Sequence, residues 1–390
     1  MAGIMIKILD LYSGMGGLSL GFVVALDAEV LGVDIDQYAV DTYNLNLKRF
    51  GARAVRADVL RFRPDSEFDL IIGGVPCQPW SYAVAHAKGR SGERHPLAPT
   101  LPRFFDLIIQ IKPKAFLMEN VEGLATRYRD VLERELAEAR GEYNIAMRVL
   151  DAADYGVPQH RRRLFVLGIR KDLGIKPSFP QPTHAEKTTV LLDGTVLKRW
   201  ITVREAIGDL LSLPPVGAKF LTPEQVEKIK QRRKDTSRYF GEMEFPDPLD
   251  KPSRTIATAT VLGGTKREAI VIAHIGGGEL WRGNEWANRE ISLGEPSYTI
   301  VSKHRSGQVV ETPYGYRTLT PREAMRLQSF PDWFTFPSGI SKSKMFQLIG
   351  DAVPPILAFK LAQHVGRLLA LRIKEPDPQI FQLPYYHLAF

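Results

Sequence analysis

The chain of 390 residues has very little cysteine, with Cys77 as its single example. One cysteine excludes an intramolecular disulfide and any zinc site built from several cysteines. Long apolar runs are also missing, since no stretch approaches the roughly 20 residues that a membrane-spanning helix needs. The first residues run directly into a strand pattern and do not resemble a signal peptide. We therefore expect a soluble, cytoplasmic protein without a membrane partner.

What the chain has in excess is positive charge, with a formal net charge of +8 at pH 7. This excess is compatible with a polyanionic partner, although many basic proteins bind no nucleic acid, so the signal is weak by itself. The length exceeds what one ordinary hydrophobic core accommodates and predicts two domains.

The first part of the chain alternates between apolar strand patterns and helical patterns. The predicted strands are residues 6–10, 29–34, 68–72, 115–119, 147–150 and 163–168, and the predicted helices are 18–26, 37–46, 102–111 and 129–140. Such alternation predicts an α/β fold with a mostly parallel sheet and helices on both faces.

The pattern breaks after about residue 175, where prolines, glycines and Lys/Arg clusters dominate as far as residue 313. Helical patterns return at residues 320–328 and 342–371, and Pro354-Pro355 interrupts the second of these. We therefore predict three segments: residues 1–176 and 316–390 form one domain with a C-terminal helix, and residues 177–315 form a small, irregular, mostly β domain.

Cys77 follows the predicted strand 68–72, within a run that contains two glycines and two prolines. Open α/β folds place ligands and chemistry at the carboxyl ends of their strands. A free cysteine, however, is commonly a small buried apolar residue. This segment alone leaves a nucleophile and a core residue equally open.

A glycine-rich turn with the spacing Gly14-x-Gly16-Gly17 follows the first strand and opens the first helix. Glycines let the backbone pass close to a ligand, and the amides of a helix start face it. Asp34 ends the second strand, where a carboxylate can accept hydrogen bonds from ribose hydroxyls, and Asp58 lies where it could meet an adenine amino group. Each aspartate alone could be a cap or a turn residue; together with the turn they predict an adenosyl-type cofactor.

Six motifs, in their usual order and covering nearly the whole chain, resemble those of the DNA cytosine-5 methyltransferases of bacteria and archaea. They are Asp10-Leu11-Tyr12-Ser13-Gly14-Met15-Gly16-Gly17, Pro76-Cys77-Gln78, Glu119-Asn120-Val121, Gln159-His160-Arg161-Arg162-Arg163, the segment 317–331 with Arg317-Thr318-Leu319-Thr320-Pro321-Arg322-Glu323-Ala324 and Gln328-Ser329-Phe330-Pro331, and Gly350-Asp351-Ala352-Val353-Pro354-Pro355. Two features depart from the family pattern: Asp351 stands where asparagine is usual, and the loop after Cys77, residues 82–101, lacks the usual Arg-Gly pair. Tyr12 also stands where phenylalanine is commoner.

The resemblance implies a Rossmann-like catalytic domain that depends on S-adenosyl-L-methionine, with a mixed, mostly parallel sheet, and a small irregular, mostly β target recognition domain. It implies no metal site. The residues expected to bind the cofactor are Tyr12, Ser13, Gly14, Gly16, Gly17, Asp34, Ile35, Asp58, Val59, Pro76, Asp351, Ala352 and Val353.

The resemblance also implies covalent catalysis by Cys77, Glu119, Arg161 and Arg163. The Cys77 thiolate would add to carbon 6 of cytosine, and Glu119 would hydrogen-bond the exocyclic amine and ring nitrogen 3. The two arginines would contact the target base or its phosphate and help to lower the pKa of the thiol. Without the resemblance, a carboxylate capping a strand and a solvated basic face are the commoner explanations.

The partner implied by the resemblance is double-stranded DNA, from which the target base must be flipped. The candidate DNA contacts are Gln78, Ser81, Lys266, Arg267, Thr299, Lys303 and Arg305. A restriction–modification role with a cognate endonuclease acting separately is usual for the family, and we expect a monomer.

Three other interpretations compete with this one. A cysteine hydrolase would pair a histidine with Cys77, but it leaves the glycine-rich turn unexplained. The large RNA cytosine-5 methyltransferase family uses two catalytic cysteines, and the tRNA-modifying branch of the DNA-type family carries a second cysteine in a Cys-Phe-Thr segment; this chain has one. A DNA-binding relic with a silent site is supported only by Asp351.

Overall fold

The computed structural model describes residues 5–81, 91–211, 222–227, 289–290, 297–298, 308–312 and 315–390. Five of the predicted DNA contacts lie outside these residues, namely Lys266, Arg267, Thr299, Lys303 and Arg305.

A seven-stranded sheet forms the centre of the fold. Its strands are β1 (Ile6–Leu11), β2 (Ala28–Asp34), β3 (Ala52–Arg56), β4 (Leu70–Gly74), β5 (Ala115–Val121), β6 (Tyr143–Asp151) and β8 (Arg162–Arg170). The order is β3-β2-β1-β4-β5-β8-β6, in which β8 runs antiparallel to both of its neighbours and the other six strands all run in one direction. This mixed, mostly parallel sheet confirms the predicted α/β fold, and its strand order reverses direction between β1 and β4, where such sheets bind ligands.

The other strands and the helices surround this sheet. The short strands are β7 (Gln159–His160), β9 (His184–Ala185), β10 (Thr189–Val190), β11 (Val196–Arg199), β12 (Arg289–Glu290), β13 (Ser297–Tyr298), β14 (Gln308–Thr312) and β15 (Gly315–Thr318). The helices are α1 (Gly17–Ala25), α2 (Gln37–Leu47), α3 (Thr100–Ile111), α4 (Glu122–Ala125), α5 (Arg129–Glu142), α6 (Val203–Leu211), α7 (Pro321–Leu327), α8 (Lys342–Asp351), α9 (Pro355–Leu368), α10 (Pro378–Phe381) and α11 (Tyr386–Ala389).

Both faces of the sheet are buried, which explains why its strands are nearly continuous apolar runs. In β1, Ile6 and Ile8 belong to the core that also contains α1, α2 and α9, whereas Leu9 and Leu11 belong to the core with α3 and α5. Successive side chains of a strand point to opposite faces, so an apolar residue is needed at nearly every position.

The end of β4 differs from the sequence prediction, which placed the strand at residues 68–72 and ended it at the two glycines. The strand continues through Gly73 and Gly74, which pair with Met118 and Glu119 of β5. A Cβ added at Gly73 would lie 2.6 Å from the carbonyl oxygen of Leu11. Gly73 therefore serves close strand packing, and the turn begins only after Gly74.

The segment after residue 316 packs against the first part of the chain. Gly21 allows this approach, because a Cβ there would clash with Ala358 of α9. The helical stretch Lys342–Leu368 is long and apolar enough to cross a membrane by length and composition, but 78% of its most apolar window is buried inside the fold. Ala352–Pro354 also separates α8 from α9, so this stretch forms part of the core.

Helix α6 falls within the segment predicted as the recognition domain, yet it contributes to the core beside α1 and α9. Val203, Ala206 and Ile207 are fully buried there. Arg326 of α7 also holds Asp209 of α6 through its Nη1 atom at 2.6 Å. The domain boundaries expected from the sequence, including the start of the recognition domain at residue 177, remain predictions.

A buried ion pair anchors the start of α7. The Arg317 guanidinium holds the Glu323 carboxylate at 2.6 and 2.9 Å, and both side chains are only 1% exposed. Glu323 also accepts a hydrogen bond from the backbone N–H of Thr320, completing a capping box.

We expect Glu323→Ala to lower the free energy of unfolding by roughly 3–5 kcal/mol, because it leaves the buried Arg317 charge without this carboxylate. Denaturation by urea measures this loss. The control is Glu142→Ala, which removes a half-exposed pair with Lys112 and should cost under about 1 kcal/mol. Equal losses for the two variants would contradict the importance of the buried pair.

Candidate active site

Cys77 lies on the turn that follows β4, at the carboxyl edge of the sheet. The side-chain amide of Asn120 on β5 donates to the carbonyl of Val75 at 3.2 Å, and its Oδ1 accepts from the backbone N–H of Val121 at 2.8 Å. The carbonyl of Cys77 accepts from the N–H of Trp80 at 3.0 Å. The cysteine is thus held on a turn that is fixed to the neighbouring strand.

Glu119 lies on β5 in register with Gly74, the last residue of β4, so it stands beside the start of that turn. Its carboxylate is buried, and its Oε1 is 3.1 Å from Nε of Arg163 on β8. Burial raises the pKa of Glu119, while the charges of Arg163 and Arg161 oppose that rise. The carboxyl group therefore keeps its proton closer to neutrality than an exposed glutamate does.

Arg161 is also buried, so a solvated basic face does not describe it. Its Nη2 donates to the carbonyl of Gly350 at 2.9 Å, and its backbone N–H donates to Asp151 at 2.9 Å. Burial and the neighbouring charge of Arg163 lower the pKa of Arg161 to about 9. Arg161 therefore joins the surroundings of Cys77 to the last turn of α8.

The pKa of the Cys77 thiol is raised, although its two neighbouring arginines act in the direction that the sequence analysis expected. Burial raises its pKa to about 11, and the charge of Asp351 contributes to the rise. Arg163 and Arg161 lower the pKa as expected, but the burial and the carboxylates of Asp351 and Glu119 outweigh them. Burial at this position therefore favours the neutral thiol of Cys77 over its thiolate.

Two buried glutamines, to which the sequence analysis gave no role, connect this cluster to the C-terminal segment. Gln159 donates through Nε2 to Oε1 of Gln328 at 2.7 Å, and Gln328 donates through its own Nε2 to the carbonyl of Ala352 at 2.7 Å. Both glutamines lie within the quoted motifs. The sequence could not show their contact, because they are separated by 169 positions.

The predicted cofactor-binding turn has the backbone that its glycines suggested. Gly16 has a φ of 91°, in the left-handed region that favours glycine. A Cβ at Gly17 would clash with the carbonyl oxygen of Val353, so the turn lies directly against the loop that follows α8. Tyr12 donates its hydroxyl to the carbonyl of Thr100 at 2.9 Å, which ties the turn to the start of α3.

Asp34 lies beside this turn at the end of β2. Its Oδ2 accepts from the N–H of Gly14 at 2.8 Å, and its Oδ1 accepts from the N–H of Asp36 at 2.9 Å. Burial raises the pKa of Asp34. Ile35, the next residue, leaves 62% of its surface exposed. The Asp34 carboxylate can accept a hydrogen bond from a sugar hydroxyl, and the exposed Ile35 side chain can pack against a flat base attached to that sugar.

Buried polar atoms at this end of the sheet also fit a polar ligand. Among the described residues, Oγ of Ser13 and Oδ1 of Asp10 are buried without a hydrogen-bond partner. The other oxygen of Asp10 accepts from the hydroxyl of Ser19 at 2.6 Å, and burial raises the pKa of Asp10 to about 7. The sequence analysis quoted Asp10 within the first motif but gave it no role of its own.

The remaining predicted cofactor residues line nearby turns. Asp58 Oδ1 accepts from the N–H of Leu60 at 3.0 Å, and Val59 is buried. Ala352 and Val353 are also buried. Pro76 stands in the turn immediately before Cys77.

An ion pair that the sequence analysis missed connects the two sides of this region. Lys344 of α8 contacts the carboxylate of Asp36, the N-cap residue of α2, and also reaches Oε1 of Gln347 at 3.1 Å. Lys344 and Asp36 are 308 positions apart in the sequence. Their ion pair brings α8 close to Asp34.

Only two of the predicted DNA contacts are described. Gln78 is half-buried, and its Oε1 has no hydrogen-bond partner in the described part of the chain. Ser81 is buried at the end of the turn. Strand β13 pairs with β7, with Ser297 opposite Gln159, so the described chain reaches this cluster two positions before Thr299. Within the described ranges, no group of three or more His, Cys, Asp or Glu side chains could hold a metal ion.

A doubly wound sheet with a glycine turn after β1, a carboxylate after β2 and a cysteine on the turn after β4 is the arrangement of a Rossmann-like fold, which binds its ligands at this edge of the sheet. The model of the C-5 cytosine-specific DNA methylase family matches residues 6–367. The chain therefore belongs to this family. Membership makes it an S-adenosylmethionine-dependent enzyme whose substrate is cytosine in DNA.

Relatives named as type II methyltransferases match along most of their length. The chain is 32% identical to the type II methyltransferase M.AplI of Arthrospira platensis, across 97% of this chain and 92% of the relative. It is 31% identical to the type II methyltransferase M.XorII of Xanthomonas oryzae pv. oryzae, across 95% and 87%.

Solved structures share the fold. A prophage-encoded E. coli protein described as a DNA modification methyltransferase superposes with a TM-score of 0.60 at 25% identity, covering 94% of this chain and 99% of that one. The S. pombe Dnmt2 methyltransferase superposes with a TM-score of 0.57 at 15% identity, covering 94% and 98%. At that identity the second match shows the fold alone.

Proposed function

We propose that this protein methylates carbon 5 of a cytosine flipped out of duplex DNA, with Cys77 as the nucleophile. The observation that carries the proposal is the convergence of Cys77, Glu119, Arg161 and Arg163 at the carboxyl edge of the sheet. Burial of Glu119 and Arg161 supports a role in chemistry, because charged groups are rarely buried without a partner or a task.

Carbon 5 of cytosine is a weak nucleophile, and addition of Cys77 overcomes this weakness. The sulfur of the Cys77 thiolate forms a bond to carbon 6, and the electrons of the carbon 5–carbon 6 double bond are displaced into the ring. Glu119 stabilises this charge by holding the exocyclic amine and by donating a proton towards nitrogen 3. Its raised pKa supports the second task.

The adduct resolves by elimination after carbon 5 has accepted the methyl group. A base, water or hydroxide, removes the proton from carbon 5, the double bond re-forms, and the bond between carbon 6 and sulfur breaks. Cys77 leaves as a thiolate, and the enzyme is restored. Arg161 and Arg163 stabilise the anionic sulfur both before it adds to carbon 6 and when it leaves, since both arginines lower the pKa of the thiol.

S-Adenosylmethionine supplies an electrophilic methyl group when it is bound. We assign its ribose to Asp34, its base to the surface formed by Ile35, Asp58 and Val59, and its polar amino-acid end to the glycine-rich turn with Ser13. The unpartnered buried Oγ of Ser13 and the carboxylate of Asp34 support this placement. Tyr12, Pro76 and residues 351–353 complete the proposed site.

Phosphate contacts position a protein on DNA, and side chains that reach base edges read the sequence. We assign Gln78 and Ser81 to the space around the flipped base, and Lys266, Arg267, Thr299, Lys303 and Arg305 to DNA contacts of the recognition segment. The free Oε1 of Gln78 in the described chain supports the first assignment. Flipping costs a few kcal/mol, which these contacts must recover.

The relatives named type II methyltransferases support a role in a restriction–modification system, with a cognate endonuclease acting separately. We propose a cytoplasmic monomer for this role. A silent DNA-binding relic and an RNA methyltransferase are less well supported, because the cluster around Cys77 is complete and the chain has no second cysteine.

Expression of the protein in a host without cytosine methylation tests this function. We expect bisulfite sequencing of plasmid DNA from that host to show protected cytosines in one recurring short sequence. The control is the Cys77→Ser variant at equal expression, which should leave every cytosine convertible. Unprotected plasmid from cells that contain folded, unmodified enzyme would contradict the proposed function.

A further inference from the structure

Arg161 lies at the point where the chain leaves a small sheet and enters the main one. It stands between β7, which pairs with β13, and β8, which pairs with β5 and β6. The turn that follows β6 holds its backbone on both sides. The carboxylate of Asp151 accepts from the N–H of Arg161 at 2.9 Å, and the carbonyl of Arg161 accepts from the N–H of Ala152 at 3.1 Å. The placement of Arg161 therefore depends on a side chain as well as on strand pairing.

The carboxylate of Asp151 is shared by three groups. The oxygen that accepts from Arg161, Oδ1, also accepts from the N–H of Ala153 at 3.3 Å and so caps the 3₁₀ turn Ala152–Tyr155. The other oxygen, Oδ2, lies 3.0 Å from Nδ1 of His160. A carboxylate only accepts hydrogen bonds, so Nδ1 carries the hydrogen of this contact. The Asp151 side chain is only 16% exposed, which leaves little of it to water.

His160 is fixed in turn by Trp200, which lies just after β11. The two rings meet edge to face, with centroids 4.6 Å apart and planes at 90°. Nε1 of Trp200 donates to Oδ1 of Asp154, in the same 3₁₀ turn that Asp151 caps, at 2.9 Å. The buried imidazole therefore has one available position, and it orients the carboxylate of Asp151.

The backbone at residue 161 sets the direction of both arginines of the candidate site. Arg161 reaches the carbonyl of Gly350 through Nη2 at 2.9 Å. Residues two apart share one face of a strand, and Arg163 places its Nε 3.1 Å from Oε1 of Glu119. Both guanidinium groups also act on the thiol of Cys77, whose pKa they lower. A shift of this backbone would displace the two positive charges together.

We propose that Asp151 is a positioning residue for methyl transfer, which acts by fixing the backbone of Arg161 with a carboxylate that His160 orients. The inference rests on the proposed function, since it assigns Asp151 to the support of the cluster around Cys77. Displacement of a catalytic group by about 1 Å can lower a rate about a hundredfold. A side chain that holds the start of β8 therefore influences the chemistry without touching the reacting atoms.

Single-turnover methylation at saturating DNA and S-adenosylmethionine separates positioning from binding. We expect Asp151→Ser to lower this rate about tenfold to a hundredfold and to leave the Kd for duplex DNA unchanged. Serine still caps the 3₁₀ turn, which favours folding, but one hydroxyl cannot hold both His160 and Arg161. Asp151→Asn retains an acceptor for the N–H of Arg161 and should restore most of the rate.

Two further variants test whether the effect passes through Arg161. Asp172→Ser removes an exposed carboxylate that pairs with Arg170 at the far end of β8, and it should follow the unmodified enzyme. Arg161→Met keeps an unbranched side chain without the guanidinium and should itself be slow. Addition of Asp151→Ser to Arg161→Met should lower the rate little further, because the two residues act through one group.

Thermal unfolding shows whether each variant is folded. His160→Phe is the second variant to measure, because it keeps a ring beside Trp200 but takes away the contact at Nδ1, and it should also lower the single-turnover rate. If Asp151→Ser does not fold, a normal rate for folded His160→Phe overturns the inference.

A normal single-turnover rate for folded Asp151→Ser overturns the inference, and so does a loss that multiplies the loss of Arg161→Met. An unmodified enzyme that transfers no methyl group defeats the proposed function instead. Amide hydrogen exchange then tests the placement of Arg161 without turnover. Exchange in the peptide with residues 159–163 should be faster in Asp151→Ser than in the unmodified protein, and equal exchange in the two proteins overturns the inference.

Discussion

Replacement of Cys77 by serine should reduce methyl transfer by at least about a thousandfold, as removal of an enzyme's covalent nucleophile commonly does. A serine hydroxyl keeps the shape of the turn but is far less nucleophilic than a thiolate, so it cannot add to carbon 6 at a useful rate. Incorporation of labelled methyl groups into DNA under single-turnover conditions measures the effect.

DNA binding provides the control for this variant. The turn is held by Asn120 and by the backbone of Trp80, neither of which requires the sulfur. We therefore expect Cys77→Ser to bind duplex DNA as tightly as the unmodified protein in a fluorescence anisotropy titration. Methylation by this variant at close to the normal rate would mean that Cys77 fills the core and performs no chemistry.

Replacement of Glu119 by glutamine should be the second most damaging change, with a loss of roughly a hundred- to ten-thousandfold in the rate of methylation. The amide keeps the size of the side chain, but it has neither the negative charge for the exocyclic amine nor a transferable proton for nitrogen 3. It also removes the carboxylate that faces Arg163 at 3.1 Å. Single-turnover rates at saturating DNA separate this chemical defect from weaker binding.

Glu142→Gln is the matched control for that change, because it makes the same substitution at an exposed position at the end of α5. Its rate should equal that of the unmodified enzyme. If Glu119→Gln also retained a normal rate, Glu119 would be a structural carboxylate only, and stabilisation of the cytosine adduct would have to come from other groups.

The sheet was predictable from the sequence because each of its elements carries a local signal. The apolar runs around Ile8 and Phe116, and the helical pattern that begins near Gln37, depend only on neighbouring residues. The end of β4 was misplaced because Gly73 and Gly74 usually break strands. The close packing at Gly73 depends on Leu11, and the pairing of both glycines depends on β5, and the local sequence shows neither contact.

The sequence identified which residues form the candidate site, but it did not show the hydrogen bonds that connect them. The motifs placed Cys77 and Glu119 at strand ends, yet the link from Gln159 through Gln328 to Ala352 joins distant segments. The motif indicated the direction in which Arg161 and Arg163 shift the pKa of the Cys77 thiol, but it could not indicate the net shift. Nearby arginines are visible in a motif, whereas burial and the charge of Asp351 arise only when the chain folds.

The most direct test of covalent catalysis is a trapping experiment with duplex DNA that contains 5-fluorocytosine at the target position. Fluorine cannot leave as the carbon-5 proton does, so the adduct should persist after methyl transfer. In the presence of S-adenosylmethionine we expect a denaturation-resistant complex, and peptide mass analysis should place the methylated base on Cys77. Repeated failure to trap a complex with enzyme that binds this DNA, or a crosslink at any other residue, would contradict the account.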